Sequence, residues 1–161
     1  MQSSTLLIVW HSRTGASRFL ASAAAEGAGR QGHLVPASDV EPADLLAASG
    51  YLFVGPENLG TLSGTMKEMF DRCYYPLLGR LEGRAYATII AAGSDGTGAV
   101  RQLDRIVTGW RLRRVAEAMI VCTDAQSAEA IQAAKQIAAT QLHDARDLGA
   151  ALAGGLSAGI F

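Results

Sequence analysis

Five short apolar runs that alternate with helix-forming stretches constrain the fold of this chain most strongly. Residues 5–10 (TLLIVW) and 51–54 (YLFV) are apolar at consecutive positions, a pattern typical of parallel strands that are buried on both faces. On this pattern, strands are predicted at residues 5–10, 33–37, 51–54, 85–92 and 115–121. Because strands that alternate with helices form parallel sheets covered on both faces, the predicted fold class is α/β, a doubly wound sheet of five parallel strands.

The stretches between these runs carry helix signals. Residues 19–29 are rich in alanine, Pro42 suits the first turn of a short helix to Ala48, and residues 100–110 are amphipathic. The third strand is predicted to stop at Gly55-Pro56. Ser63 is a suitable N-cap for a helix with a buried stripe, which consists of Met66, Met69, Phe70 and Cys73. A last helix is predicted to carry one apolar face, formed by Ile131, Ala134, Ala138, Leu142, Ala145, Leu148 and Leu152.

A chain of 161 residues suits a single domain, and no linker, repeat or low-complexity block divides it. One domain over residues 1–161 is therefore expected. The repeat of strand–helix units leads us to expect the strand order 2-1-3-4-5. The Gly- and Ala-rich tail from Ala150 onward is expected to fray.

Charge and hydropathy argue against several functions. The chain has 14 Lys and Arg against 15 Asp and Glu, a net charge of −1, which gives no reason to expect binding to nucleic acid. No apolar run reaches the ~18 residues that a membrane span needs, so no membrane association is expected. The first residues, MQSS, lack the basic segment and the cleavage site of a signal peptide, and a cytoplasmic location is expected.

The cysteine and histidine residues show no metal-binding pattern. Cys73 and Cys122 lie far apart and are interpreted as small buried side chains in a reducing compartment. His11, His33 and His143 are scattered, with no pair at zinc-binding spacing. No metal site is expected.

Three polar loops of small residues follow the first, third and fourth predicted strands. They are residues 11–17 (HSRTGAS), 56–64 (PENLGTLSG) and 93–98 (GSDGTG). Ligands of open α/β sheets bind outside the carboxyl ends of the strands, near the point where the strand order reverses. With the order 2-1-3-4-5, the three loops converge on one crevice.

The first loop has the composition of an anion site. Free N–H groups and the helix dipole at a helix N-terminus attract phosphate, and Gly15 and Ala16 permit close approach of the backbone. The hydroxyls of Ser12, Thr14 and Ser17 can add hydrogen bonds. The loop matches neither the Walker A pattern nor G-x-G-x-x-G, and an ordinary N-capped loop is the alternative interpretation.

These motifs resemble those of the flavodoxin superfamily. Residues 8–17 (IVWHSRTGAS), followed by Ala21, resemble the flavodoxin phosphate loop, with Trp10 where Phe or Tyr is usual and Ser17 where Thr is usual. Residues 55–60 (GPENLG) and 63–67 (SGTMK) are similar to the second flavin loop of NAD(P)H-dependent FMN reductases and quinone reductases. Residues 93–98 resemble the third loop of those proteins. The resemblance covers nearly the whole chain in order and spacing.

The resemblance implies an FMN site with no catalytic side chain and NAD(P)H as co-substrate. The phosphate would be held by the first loop, the isoalloxazine lined by the second, and its pyrimidine edge closed by the third. The implied cofactor-binding residues are Ser12, Arg13, Thr14, Gly15, Ala16, Ser17, Pro56, Glu57, Asn58, Leu59, Gly60, Thr61, Gly93, Ser94, Asp95, Gly96, Thr97 and Gly98. Arg13 either pairs with the phosphate or points to water.

Two features favour a reductase over an electron carrier. Electron-carrier flavodoxins shield the flavin with aromatic side chains and have an acidic docking face, whereas here the second and third loops hold no aromatic residue and the net charge is near zero. An open flavin face suits hydride transfer from a nicotinamide. An FMN-dependent NAD(P)H oxidoreductase that reduces a quinone or other small acceptor is therefore expected. A flavodoxin-type carrier that serves a redox protein is the alternative, and a flavin-free binding domain is a third hypothesis.

Several interpretations stay open at this point. Tyr74 and Tyr75 either cover the flavin or close a helix against the core. The basic stretch between Arg101 and Arg114 either meets the 2′-phosphate of NADPH or forms a solvated surface, and His11 is interpreted as structural. A homo-oligomer is compatible with the resemblance, although the chain lacks the added segments that build quinone reductase tetramers.

Overall fold

A computed structural model describes residues 3–161, so Met1 and Gln2, the first residues of the MQSS start, lie outside it. The strands are β1 Leu6–Trp10, β2 Gly32–Pro36, β3 Gly50–Asn58, β4 Thr61–Leu62, β5 Ala85–Ala92, β6 Arg113–Arg114 and β7 Met119–Cys122. The helices are α1 Ala16–Ala28, α2 Pro42–Ala47, α3 Gly64–Cys73, α4 Thr97–Gly109, α5 Ala128–Gln132 and α6 Ala139–Ser157. Among these residues no helix is long and apolar enough to cross a membrane.

The sheet has the predicted order. β1 lies between β2 and β3, β5 pairs with β3, and the short strands β6 and β7 both pair with β5 at the far edge. All of these pairs are parallel, with Ile8 opposite both Leu34 and Leu52. In the predicted numbering, β5 is the fourth strand, and β6 and β7 together are an interrupted fifth strand. The order is then 2-1-3-4-5, and the α/β fold class is confirmed.

The strands are apolar at consecutive positions because each face of the sheet covers a separate core. On one face, Leu7, Val9 and Phe53 pack against α3 and α4. This core includes the aromatic side chains of Phe70 and Trp110. The alternate residues of the same strands, among them Leu6, Ile8, Leu52 and Val54, face α1 and α6. The helical stripe Met66, Met69, Phe70 and Cys73 is buried as predicted, and Ser63 Oγ caps α3 by accepting from Met66 N–H at 3.3 Å.

The third strand does not stop at Gly55-Pro56, which corrects the prediction. β3 continues to Asn58 and turns through Leu59 and Gly60 into the antiparallel strand β4. β1 ends opposite Val54, so beyond that residue β3 pairs with β5 but no longer with β1. Proline is tolerated where one side of a strand has no partner strand.

The predicted last helix and fifth strand are both interrupted. Residues 133–138 leave the helical path, and Ile131, assigned to the buried face, is 54% exposed, with Ala134 and Ala138 also exposed. The fifth strand, predicted at residues 115–121, consists of β6 and β7 at the sheet edge, where β5 is the neighbour. Tertiary contacts override helix propensity here, since Lys135 donates its backbone N–H to Thr14 O at 2.8 Å instead of continuing the helix.

The C-terminal segment is ordered, in contrast to the expected fraying from Ala150. α6 continues to Ser157, and Leu152 and Ala153 are buried against α1 and the sheet. Ser4 Oγ donates to Leu156 O at 3.3 Å, which joins the two ends of the described chain.

Only one of the two cysteines has the expected burial. Cys73 is fully buried, and burial raises the pKa of its thiol. Cys122 is only half-buried, because it ends β7 at the edge of the sheet.

Candidate functional site

A cleft lies at the carboxyl edge of the sheet, where the first loop meets the end of β3 and the end of β5. Its walls come from four parts of the chain: the first loop with the start of α1, the end of β3, the end of β5, and the segment after β7. The lining residues are Ser12, Arg13, Thr14, Ala16, Ser17, Pro56, Glu57, Asn58, Ala91, Ala92, Gly93, Thr123, Ala125, Ile131 and Lys135.

The first loop presents an uncapped helix N-terminus to this cleft. Ser12 Oγ accepts from Gly15 N–H at 3.0 Å, and Gly15 adopts the left-handed conformation with φ 103°, so the chain turns sharply into α1. Among residues 3–161, no side chain accepts from the N–H groups of Ala16, Ser17 or Arg18 in the first turn of α1. The first N–H groups of a helix lack intrahelical partners, so this end attracts anions.

Ser17, in the first turn of α1, is a buried polar group without a partner. The residue is 1% exposed, and its hydroxyl has no hydrogen-bond partner among the described residues. A buried, unsatisfied hydroxyl costs about 1–3 kcal/mol. Because Ser17 lines the cleft, an anion at the start of α1 would remove this cost by accepting the hydroxyl proton.

The second loop is a hairpin whose base lines the cleft and whose tip does not. Pro56, Glu57 and Asn58 belong to the lining, whereas Leu59 at the tip is fully exposed. Leu59 and Gly60 both have positive φ, 54° and 75°, as the tight turn requires. The cofactor roles assigned to Leu59, Gly60 and Thr61 stay predictions.

Glu57 joins the second loop to the third. One carboxylate oxygen accepts from Gly96 N–H at 2.9 Å and the other from Ala99 N–H at 3.0 Å, so Glu57 caps the N-terminus of α4. Gly98 packs directly against the hairpin, since a Cβ added to it would lie 2.1 Å from Gly60 O. The N-terminus of α4 is thus satisfied by a carboxylate from within the chain.

The third loop contributes only Gly93 to the cleft lining. Asp95 Oδ1 accepts from the backbone N–H and the hydroxyl of Thr97, at 3.2 and 2.7 Å. These hydrogen bonds lower the pKa of the Asp95 carboxyl. Ser94, Asp95 and Thr97 are exposed at the rim, and the cofactor roles assigned to Ser94 through Gly98 stay predictions.

Sequence reasoning missed the walls contributed by Ala91, Ala92 and the segment after β7. Thr123 N–H donates to Ala92 O at 2.8 Å, which holds that segment beside β5. Ile131 was assigned to the apolar face of the predicted last helix, and Lys135 lies within the range of that helix, so the periodicity gave no sign of a site. The sequence feature that could have indicated this wall of the cleft is Lys135, the one charged side chain between Glu129 and Asp144.

His11 connects the first loop to α3 and does not line the cleft. Its Nδ1 lies 2.8 Å from Ser63 Oγ, the hydroxyl that caps α3. Burial, followed by the nearby charge of Arg13, lowers the pKa of His11. The lowered pKa favours the neutral ring, which is hydrogen-bonded to Ser63.

Four other candidate residues, Tyr74, Tyr75, Arg113 and Arg114, are not among the residues that line the cleft. Tyr74 stacks on Trp110 with ring centroids 5.7 Å apart, and neither Tyr74 nor the exposed Tyr75 is among the lining residues. Arg113 and Arg114 pair with the first residues of β5, a strand length of roughly 20 Å from its carboxyl end. Arg113 and Arg114 therefore lie near the amino ends of the strands, whereas the cleft lies at the carboxyl ends.

The comparisons with known proteins agree with this architecture. No family model matches the chain. A flavodoxin from Aquifex aeolicus is 30% identical over 97 residues, which is 58% of this chain, and the match spans about half (52%) of that relative. Among solved structures, a WrbA-like flavodoxin from Agrobacterium tumefaciens has a TM-score of 0.76 at 21% identity, over 96% of this chain and 98% of that one.

Two further structures extend the likeness. An archaeal flavodoxin has a TM-score of 0.75 at 13% identity, over 94% of this chain and 98% of that one. A flavodiiron core from Synechocystis has a TM-score of 0.77 at 15% identity, over 98% of this chain but 37% of that one. The chain therefore has the flavodoxin-like fold.

Proposed function

We propose that the cleft binds FMN and that the protein is a flavoprotein of electron transport. The observation that carries the proposal is the start of α1, where an uncapped helix N-terminus and the buried, partnerless hydroxyl of Ser17 meet. This donor set suits a terminal phosphate, which offers oxygens that accept from both. The Aquifex relative, named as a flavodoxin, supports the same assignment.

Different residues of the cleft would hold different parts of this cofactor. Residues 16–18 would direct backbone N–H groups at the phosphate, with the Ser17 hydroxyl beside them and the charge of Arg13 nearby. Pro56, Glu57, Asn58 and Gly93 would lie along the isoalloxazine. The rim of the same proposed site would be formed by Leu59, Gly60, Thr61 and residues 94–98.

We further propose that the protein is an NAD(P)H-dependent oxidoreductase. Bound FMN supplies hydride and single-electron chemistry, and the chain's task is to place it and leave one face accessible. The supporting observation is that no aromatic side chain is among the described residues that line the cleft. A nicotinamide must approach to about 3–3.5 Å for hydride transfer, and small residues such as Ala91, Ala92 and Gly93 leave room for it.

A flavodoxin-type electron carrier is the second candidate. It is favoured by the Aquifex flavodoxin and by structural neighbours that are named flavodoxins. In that case the electron partner is a redox protein rather than a quinone or other small acceptor.

A single-domain organisation over residues 1–161 and a cytoplasmic location complete the proposal, and the unpaired cysteines fit a reducing compartment.

Anaerobic reduction separates these candidates. The purified protein should bind FMN at one site, and the flavin absorbance should bleach with NADH or NADPH at a rate that saturates. A flavin that stays oxidised with both nucleotides but is reduced by a ferredoxin-type reductase would exclude the oxidoreductase and leave the carrier. A protein that binds no flavin would refute both.

A further inference from the structure

The segment between β7 and α6, residues 123–138, forms a strap along one side of the cleft. At one end Thr123 N–H bonds to Ala92 O, and at the other Lys135 N–H bonds to Thr14 O, each at 2.8 Å. The strap therefore connects the end of β5 with the first loop. Its residues Thr123, Ala125, Ile131 and Lys135 line the same cleft as Ser17.

The Lys135 ammonium is held in place by the strap itself. Its Nζ donates to the carbonyls of Ala130, Ile131 and Ala133, at 2.8, 2.9 and 2.6 Å. An ammonium has three N–H donors, so all of them are used. The carbonyls lie at the C-terminal end of α5, where a positive charge is favourable. Lys135 thus places a fixed charge at the cleft rather than a mobile one.

No acidic side chain neutralises this charge. Among residues 3–161, no carboxylate lies within 4.0 Å of Lys135 Nζ. Glu57, the acidic residue of the cleft lining, has both oxygens bound to the start of α4. The positive charge of Lys135 is therefore available to an anion at the start of α1.

We propose that Lys135 is a positioning residue for the terminal phosphate of the cofactor, an inference that rests on the proposed FMN site. It acts in two ways, by holding the first loop through Thr14 O and by adding a fixed positive charge to the anion site. It is not a direct hydrogen-bond ligand, because its three donors are committed to the strap. Its contribution is therefore limited to ligands that carry a phosphate.

Titrations with FMN and riboflavin test this role, because riboflavin lacks the phosphate. Lys135→Gln removes the charge and keeps two N–H donors for the strap, and Lys135→Arg keeps the charge. We expect K135Q to weaken FMN binding about tenfold and riboflavin binding less than twofold, and K135R to restore FMN binding. Lys67→Gln is the control, since Lys67 is the chain's other lysine and pairs with Asp71 on the exposed face of α3.

Salt supplies a readout that a purely structural role would not change. Raising NaCl from about 50 to about 500 mM should weaken FMN binding to the parent protein more than to K135Q. Equal loss of FMN and riboflavin binding in K135Q, or unchanged FMN binding, would overturn the inference while the FMN site stands. If the parent protein binds neither flavin, the proposed function fails. Inorganic phosphate then decides on Lys135: phosphate should raise the melting temperature of the parent more than that of K135Q, and equal shifts would refute the role.

Discussion

Two helices begin at the carboxyl edge of the sheet in the same way, and only one of them is open. α1 and α4 each follow a glycine in the left-handed conformation, Gly15 with φ 103° and Gly96 with φ 92°. The start of α4 is closed by the Glu57 carboxylate, which accepts from Gly96 N–H at the N-cap and from Ala99 N–H in the first turn. At the start of α1, Ser12 Oγ accepts from the N-cap Gly15 N–H, but among the described residues no side chain accepts from the first turn, which contains the partnerless hydroxyl of Ser17.

This difference shows that a glycine-rich loop before a helix does not by itself define an anion site. The loops before α1 and α4 have similar composition, and both were assigned to the cofactor. What distinguishes them is a carboxylate that lies 39 residues before Gly96 in sequence and reaches it through the hairpin. An anion is repelled from the start of α4 and attracted to the start of α1.

The largest expected effect comes from displacing α1 itself. A Cβ added to Gly27 would lie 1.9 Å from the backbone oxygen of Arg146 in α6, so Gly27→Ala should lower the free energy of unfolding by about 3 kcal/mol. Gly154→Ala is the matched control: it lies in α6 with no atom near its added Cβ, and alanine should stabilise that helix by up to ~1 kcal/mol. Urea denaturation measures both. Equal stability of the two variants would mean that close contact with α6 does not hold α1.

Closing α1 in the manner of α4 should abolish most cofactor binding. Ser12→Asp places a carboxylate where Ser12 Oγ now accepts from Gly15 N–H, at the position where a phosphate would bind. We expect FMN affinity to fall about 100-fold, with normal folding by circular dichroism. Ser12→Asn, of similar size and uncharged, should lose much less. A Ser12→Asp protein that purifies with a full complement of flavin would show that the phosphate binds elsewhere.

Opening α4 should cost stability without creating a second phosphate site of equal strength. Glu57→Ala removes both bonds to the start of α4 and should lower the free energy of unfolding by about 1.5 kcal/mol. Glu57→Gln keeps an oxygen acceptor without the charge and should lose about half as much. Chemical denaturation gives the difference. Unchanged stability in Glu57→Ala would show that solvent caps α4 equally well.

The smallest expected effect concerns Ser17 and Thr88, whose buried hydroxyls have no hydrogen-bond partner among the described residues. Ser17→Ala and Thr88→Val each remove a buried hydroxyl without a partner and should raise stability by up to about 1 kcal/mol. Only Ser17 lines the cleft, so Ser17→Ala alone should weaken FMN binding, about tenfold. Calorimetry and flavin titration measure the two properties. Equal FMN affinities in both variants would remove Ser17 from the phosphate site.

The strands and the buried helical stripe could be predicted because they follow from local patterns. Residues 85–92 form a strand over the predicted range, since every residue of it is buried between two cores. The misassigned features depend on contacts that are distant in sequence. Pro56 extends a strand because β1 has already ended, and Lys135 leaves a helix because Thr14 accepts its N–H. The closure of α4 by Glu57 is of the same kind, and no periodicity reveals it.

The bond between Ser4 and Leu156 has a consequence for how this unit can be combined with others. It places both ends of the described chain beside the amino end of β3, where Leu156 packs on Gly50. The cleft lies at the other end of the strands, roughly 17–20 Å away for a strand of five or six residues. A fusion partner attached next to Ser4 or Leu156 would therefore project from the side opposite the cleft, and the cleft would stay uncovered.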